Sequence, residues 1–202
     1  MKHTFPAIIL SLAAFVAAAQ TATPPTPTVR LRGTVQTVNA DNLTLKERSG
    51  ETITLALSDK LVVQEVFPIQ LADIKAGSYI GTAALPQADG TQRALMVLVF
   101  PEAARGTGEG HRPYDLQADS TMTNATVADL VAAPEGRKLQ LKYKDGEKTV
   151  LVPQGVPVVS FRPGDRGLLV PGASVVVTAQ EVGGKPIASR INAGRSGFAI
   201  PL

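Results

Sequence analysis

The feature that most constrains the fold is a repeated order of landmarks. From Val29 the sequence VRLRGTVQTV alternates apolar and polar residues, with Val29, Leu31, Val35 and Val38 marking much of one face. Asn39-Ala40-Asp41-Asn42 is a turn. NLTLKE, Ser49-Gly50 and ETITLAL then read as a β-hairpin with Leu43, Leu45, Ile53, Leu55 and Leu57 pointing inward. LVVQEVF is another strand, and Leu71-Ala72-Asp73-Ile74 is one helical turn. SYIGTAALP and TQRALMVLVF are two strands around Ala88-Asp89-Gly90. After residue 121 the order recurs. Asn124-Ala125-Thr126-Val127 answers Arg32-Gly33-Thr34-Val35, and KLQLKYKDGEKTVLV answers NLTLKERSGETITLAL. Pro157-Val158-Val159 answers Leu61-Val62-Val63. Pro171-Gly172-Ala173-Ser174-Val175 answers Ala76-Gly77-Ser78-Tyr79-Ile80, and Gly184-Lys185 answers Gly90-Thr91. The offset drifts between about 92 and 96 residues, as short loop insertions produce. Chance similarity of two β segments is the alternative to duplication, but five landmarks in one order favour a duplicated module.

Each copy has five or six short strands and a helical turn between the third and fourth. A sheet that small must close or pack to hide its edges. The expected fold is therefore all-β, with two tandem small OB-like β-barrel modules after a cleaved signal peptide. Small antiparallel sandwiches or SH3-like barrels are the runner-up. The organisation reads as a signal peptide over 1–19, a Pro/Thr linker over 20–28, module one over 29–100, a central ordered loop over 101–121, module two over 122–193 and a tail over 194–202. Gly77 and Gly172 fit tight turns into a strand, where a residue without Cβ takes positive φ. In the tail, Phe198 and Ile200 are the residues to pin it to a module surface.

Lys2 and His3 precede an apolar, Ala-rich run from Ala7 to Ala19, and Ala17-Ala18-Ala19 fits a small-x-small cleavage site. The run is short for a bilayer span of about 20 residues, so cleavage after Ala19 is favoured over a retained anchor. No later segment is apolar enough to span, and the expected address is periplasmic or secreted. The chain has no cysteine. Disulfides and thiolate metal sites are excluded, and stability must come from packing. Removing Lys2 from 20 basic residues leaves 19 against 17 acidic ones, a formal charge of +2. So small and mixed a charge is a solvated surface, not a nucleic-acid footprint. The few aromatics also argue against single-strand stacking.

Between the copies lies PEAARGTGEGHRPYDLQADST, without sustained period 2 or 3.6. A connector that long is usually functional, disordered or a missed element. It holds the candidate ligand-binding residues Arg105, Gly108, His111, Arg112, Tyr114 and Asp115. Glycines let backbone amides approach an anion, and Arg105 and Arg112 would clamp a carboxylate or phosphate. Gly-x-Gly-x-Gly is a weak signal, lacking the Lys-Ser/Thr of a phosphate loop. In the structural alternative the arginines pair with Glu109 or Asp115, and Tyr114 packs between the modules. A hydrolase would use His111, Asp115 and a serine such as Ser120, but no nucleophile elbow is present. One histidine beyond the leader and no cysteine argue against a transition-metal site, and no calcium-loop motif exists. No catalytic residue, metal ligand or cofactor is assigned. Arg162-Pro163-Gly164-Asp165-Arg166-Gly167 reads as a β-turn with a local Asp–Arg pair.

The runs GTVQTV…NLTLKERSGETITLAL, LADIKAGSYIGTAALPQADGTQRALMVLVFPEA, RGTGEGHRPYDL and STMTNATV carry a resemblance. Over its mature length the chain resembles a family of exported bacterial β proteins of unknown function. The resemblance implies export and small β-barrel modules and supplies no catalytic residues. Some members bear the label metal ABC transporter permease; this sequence departs from it, having no spanning helices and no ATPase partner motif. The expected function is a non-enzymatic binding or scaffolding protein of the cell envelope, with an envelope protein, an anionic small ligand or a glycan as partner. The alternatives are a protein-interaction module pairing through sheet edges, and a hydrolase or metal-binding protein using His111.

Overall fold

A computed structural model describes residues 28–201. The expected signal peptide and the linker before Thr28 lie outside the described residues. Twelve strands make up most of the chain: β1 (Thr28–Val38), β2 (Asn42–Glu47), β3 (Thr52–Pro68), β4 (Tyr79–Pro86), β5 (Gln92–Val99), β6 (Gly110–Pro113), β7 (Thr121–Ala133), β8 (Gly136–Tyr143), β9 (Gly146–Pro153), β10 (Val158–Pro163), β11 (Ser174–Val182) and β12 (Lys185–Gly194). The protein is all-β. The expected strands over ETITLAL and LVVQEVF are one continuous 17-residue strand, β3.

Local chemistry sets the turns. Asn39 Oδ1 accepts from the backbone N–H of Asp41 and Asn42, closing the β1–β2 turn. Gly183 and Gly184 both have positive φ, 59° and 76°, as a two-residue hairpin turn between β11 and β12 requires. Gly77 and Gly172 also take positive φ, 84° and 88°.

Two five-strand barrels result. In the first, β1, β2 and β3 form an antiparallel meander, closed by the β11–β12 hairpin. Leu31 stands opposite Val177, and β12 runs parallel to β3 with Ile191 opposite Val63. In the second, β7, β8 and β9 form the meander and β4–β5 the closing hairpin. Ile80 stands opposite Ala125, and β5 meets β9 in a short parallel ladder, Gln92 opposite Val150. A three-strand meander closed by a hairpin, with the third and last strands parallel, is OB-like connectivity.

Each barrel therefore takes its meander from one copy of the repeat and its hairpin from the other. The same exchange shows in the turns: Gly172 N donates to Val35 O at 2.9 Å, and Gly77 N donates to Val127 O at 2.8 Å. The last five residues of β3 pair antiparallel with β10, from Val159 opposite Pro68 to Pro163 opposite Gln64. β10 also runs parallel to β5, with Val158 opposite Val97. Val63 and Val158 are 95 positions apart, and Val97 and Ile191 are 94 apart, so the Val63–Ile191 and Val158–Val97 contacts are equivalents under the repeat. The β3–β10 pair lies where the two copies meet.

Barrel one is filled by Val35, Leu43, Leu45, Leu55, Val177 and Ile191, and its open end is plugged by Leu168 and Leu169 from the 3-10 turn Arg166–Leu168 and the residue after it. Barrel two is filled by Ile80, Val97, Val127, Leu139, Leu141 and Val150, and plugged by Ile74, just past the 3-10 turn Leu71–Asp73. A third cluster joins them: Val66, Ala83, Met96, Met122 and Val159, with Leu98, Tyr114, Phe161, Phe198 and Ile200 packed on it. Phe198 and Ile200 thus fasten the C-terminal segment to the seam.

Candidate functional site: the cleft between the barrels

The central loop folds as a clasp. After the 3-10 turn Glu102–Ala104, Arg105 donates Nε and Nη2 to the two carboxylate oxygens of Glu102 at 2.6 and 2.7 Å, and Nη2 also to Gly77 O at 2.9 Å. Its guanidinium lies 5.9 Å from the centre of the Tyr79 ring. Arg105 therefore pairs with Glu102, not with Glu109 or Asp115, and anchors the loop to the turn before β4. Glu109 accepts from Lys144 N.

β6 then pairs with the start of β7, Gly110 opposite Asn124 and His111 opposite Thr123. Four regular residues thus stand in a stretch without sequence periodicity. His111 Nδ1 lies 2.8 Å from Thr123 Oγ1. Burial, helped by nearby Lys148 and Arg112, lowers its pKa. Past β6, Tyr114 packs against two arginines of β1, with the Arg30 and Arg32 guanidinium carbons 5.1 and 5.5 Å from its ring centre. Asp115 accepts from Arg30 Nη1 at 2.9 Å and from Arg32 Nη1 and Nη2 at 3.0 and 2.8 Å. The Arg32 hydrogen bonds, opposed by partial burial and reinforced by Arg30, hold the Asp115 carboxyl down at about 2. A loop that leaves and re-enters barrel two is thereby bound to barrel one.

His111, Asp115 and Ser120 are not brought together. Asp115 is held by arginines, and Ser120 Oγ lies 2.9 and 2.8 Å from the carbonyls of Tyr114 and Gln117. The Arg162–Gly167 turn also differs from the expected local pair. Asp165 caps Gly167 N, whereas Arg162 pairs with Glu65 across the β3–β10 ladder, because the register sets those two residues opposite each other.

Under the clasp lies a cleft of about 270 Å³ with walls from both barrels. Val66, Leu98, Phe100, Met122, Phe161 and Val176 form its apolar surface. Phe100 and Phe161 meet edge to face at 5.8 Å. Arg30, Arg112 and Arg190 supply charge; Gln64, Asn124 and Asn192 supply amides; no carboxylate lines it. Arg30 is paired with Asp115. Arg112 donates only to Gly108 O, at 2.7 Å, and Arg190 only to Gln64 Oε1, at 3.2 Å; among the described residues neither has a carboxylate partner. Asn124 Nδ2 donates to Thr107 O at 2.9 Å, leaving Asn124 Oδ1 buried without a partner, and Asn192 Oδ1 is buried and unpartnered as well.

Of the residues singled out in the sequence, Arg112 and Tyr114 line this cleft, and Gly108 and Asp115 hold its arginines. Gly108 has φ 56°, and a Cβ there would press on Arg112 and Asn124. Arg105 and His111 lie away from it. Sequence reasoning missed Arg30, Gln64, Asn124, Arg190 and Asn192, whose only signal was their place as polar residues in the strand alternation. A larger and more open groove of about 510 Å³ runs beside β1 and β2 against Ile200 and Pro201; it is lined by Arg32, Lys46 and Arg48 and by one carboxylate, Glu47, and its Arg32 is already held by Asp115.

Among the described residues no group of three or more His, Asp or Glu side chains is placed to hold a metal ion, and no helix is long and apolar enough to cross a membrane. No protein-family model, no curated protein and no solved structure matches this chain.

Proposed function

We propose that this is an exported, non-enzymatic binding protein of the bacterial envelope, periplasmic or secreted, that takes an anionic ligand between its two barrels. The apolar Ala7–Ala19 run with its small-residue end supports export. One observation carries the binding reading: Arg112 and Arg190, from opposite barrels, line one cleft without a carboxylate partner. A cationic, largely apolar cleft with a few convergent polar groups is the usual form of a small-ligand site. Closing a ligand against both barrels would also make the clasp part of the site, since Asp115 fixes Arg30 at the rim.

The test is a thermal-shift and calorimetric titration of the protein starting at Gln20 against a panel of anionic metabolites and envelope glycan fragments. The panel is run in parallel on Arg112→Ala/Arg190→Ala, with circular dichroism as the folding control. Binding by the parent and its loss in the folded double variant is the expected result. Binding that survives the double variant would move the site elsewhere.

Pairing with a partner through a sheet edge is the second reading. Among the described residues β6 pairs only with β7, so one of its edges is open, but it is four residues long and ends at Pro113. Proline has no N–H to donate, so that edge offers a partner little ladder.

A further inference from the structure

The polar groups that a ligand in the cleft can reach are mostly of one kind. Asn124 Oδ1 and Asn192 Oδ1 are buried, and Asn124 Oδ1 lies against Gly81, so these amide oxygens face the protein and not the cleft. Thr107 O, also on the wall, already accepts from Asn124 Nδ2 and Tyr79 Oη. Gln64 Oε1 accepts from Arg190, which leaves the amide nitrogen as the free end of Gln64. Besides the hydroxyls of Tyr114 and Thr178, which act either way, the cleft therefore offers donors: the Arg112 and Arg190 guanidinium groups and the Gln64 amide.

Charge narrows the ligand further. Asp115 serves Arg30 and Arg32 together, so it leaves no negative charge over for the cleft. Arg112 and Arg190 are then two cations without a carboxylate, one from each barrel. A singly charged ligand matches one of them, whereas a doubly charged ligand matches both. A second opposite charge at about 4 Å gains roughly fivefold in affinity even in a watery site, and more where water is excluded.

The rest of the surface is apolar. Val66, Met122 and Val176 are buried, whereas Leu98, Phe100 and Phe161 keep part of their surface exposed. Phe100 and Phe161 already meet edge to face, an arrangement that a further aromatic ring can extend. About 270 Å³ lies at the small end for ligand pockets and holds one ring with its acid groups.

We infer that the cleft binds an aromatic dianion: one aromatic ring carrying two negative charges, as a phosphate monoester or as a pair of carboxylates. The charges lie between Arg112 and Arg190, and the ring lies against Leu98, Phe100 and Phe161. This deepens the anion-binding reading and rests on it.

Five probes separate the two claims: phenyl phosphate, phenyl sulfate, isophthalate, benzoate and inorganic phosphate. Phenyl sulfate keeps the shape of phenyl phosphate with one charge, benzoate does the same for isophthalate, and inorganic phosphate keeps the charge without the ring. Calorimetric titration of the Gln20-start protein at pH 7.5 is expected to give phenyl phosphate or isophthalate at least about tenfold higher affinity than its singly charged counterpart and than inorganic phosphate. Which pair shows the gap tells a phosphate ester from a dicarboxylate. Folded Arg190→Gln is expected to lose most of that gap. In the unaltered chain, phenyl phosphate affinity is expected to fall between about pH 7 and 5, as the ester takes up its second proton near ~6, while phenyl sulfate affinity stays flat. The charged and titratable groups lining the cleft, Arg30, Arg112, Arg190 and Tyr114, do not titrate in that range. Singly charged probes that bind as well as both dianions, inorganic phosphate that matches them, or a gap that persists in folded Arg190→Gln would overturn the inference and leave an anion site in place. No binding of any of the five, with a broader anion panel also silent, would overturn the binding reading itself.

Discussion

Glu65 on β3 and Arg195, just past β12, share two hydrogen bonds of 2.9 Å although 130 positions separate them. Arg162 joins the same carboxylate at 2.9 and 3.2 Å. Glu65 is only 3% exposed, while its two partners are more than half exposed, so the pair of guanidinium groups forms a lid over one carboxylate. The arrangement ties both β10 and the C-terminal segment to β3.

Glu65→Gln should therefore loosen that segment. Removing the charge leaves two guanidinium groups without their shared partner. Hydrogen exchange is expected to accelerate over residues 195–201 and across β10, with the melting temperature falling by several degrees. An unchanged exchange pattern would show that the packing of Phe198 and Ile200 suffices.

Acid should weaken the fold through the same chemistry. Arg195 and Arg162 hold Glu65 at about 2, and Arg32, helped by Arg30, holds Asp115 at about 2. Both folded values lie below the unfolded range near ~4. A depressed carboxylate contributes stability that is present above the unfolded pKa and lost as pH falls through the folded one. The urea midpoint is thus expected to be flat from about pH 7 to 5 and to fall between about pH 4 and 2. Asp115→Asn should flatten part of that fall, by about 1 kcal/mol once the half-exposed carboxylate is discounted for screening. A parallel acid curve in the variant would refute the role given to Asp115.

Cutting the chain between Gly106 and Thr107 should produce two mutually dependent fragments. Each would hold one meander and the hairpin that closes the other barrel. Neither is expected to fold as a monomer; mixing them should give a folded one-to-one complex by native mass spectrometry and NMR. Two independently folded monomers would contradict the exchange of hairpins.

Gly33→Ala tests a close backbone approach. A Cβ at Gly33 would overlap the Lys46 carbonyl oxygen across the β1–β2 ladder, and backbone cannot move aside as a side-chain end can. The expected loss is about 1–3 kcal/mol, read from chemical denaturation. A variant as stable as the parent would mean that β1 and β2 can separate at that point without disturbing the barrel.

Much of the fold is legible in the order of the amino acids. Alternation over Leu43, Leu45, Leu55 and Leu57 marks an inward face, and all four are buried in barrel one. The turns at Asn39–Asn42 and Gly183-Gly184 carry their own chemistry, and the glycines at 77 and 172 announce positive φ. The central loop is legible as a feature, but its residues divide: Arg112 and Tyr114 reach the cleft, whereas Arg105 is bound to Glu102 and His111 to Thr123.

What the amino-acid order by itself determined is most of the strands, their hairpins and their inward faces, because these depend on neighbours a few positions apart, and the repeated order of landmarks; β6 and the continuity of β3 were not among them. Only the tertiary structure decided which hairpin closes which meander. The two copies present nearly the same alternation, so period-2 burial is satisfied by either pairing; the choice rests on long-range contacts such as Leu31 with Val177 and Ile80 with Ala125. The cleft follows from that choice. Asn124, Arg190 and Asn192 look in sequence like ordinary polar strand positions, and they converge only because two exchanged barrels are packed side by side.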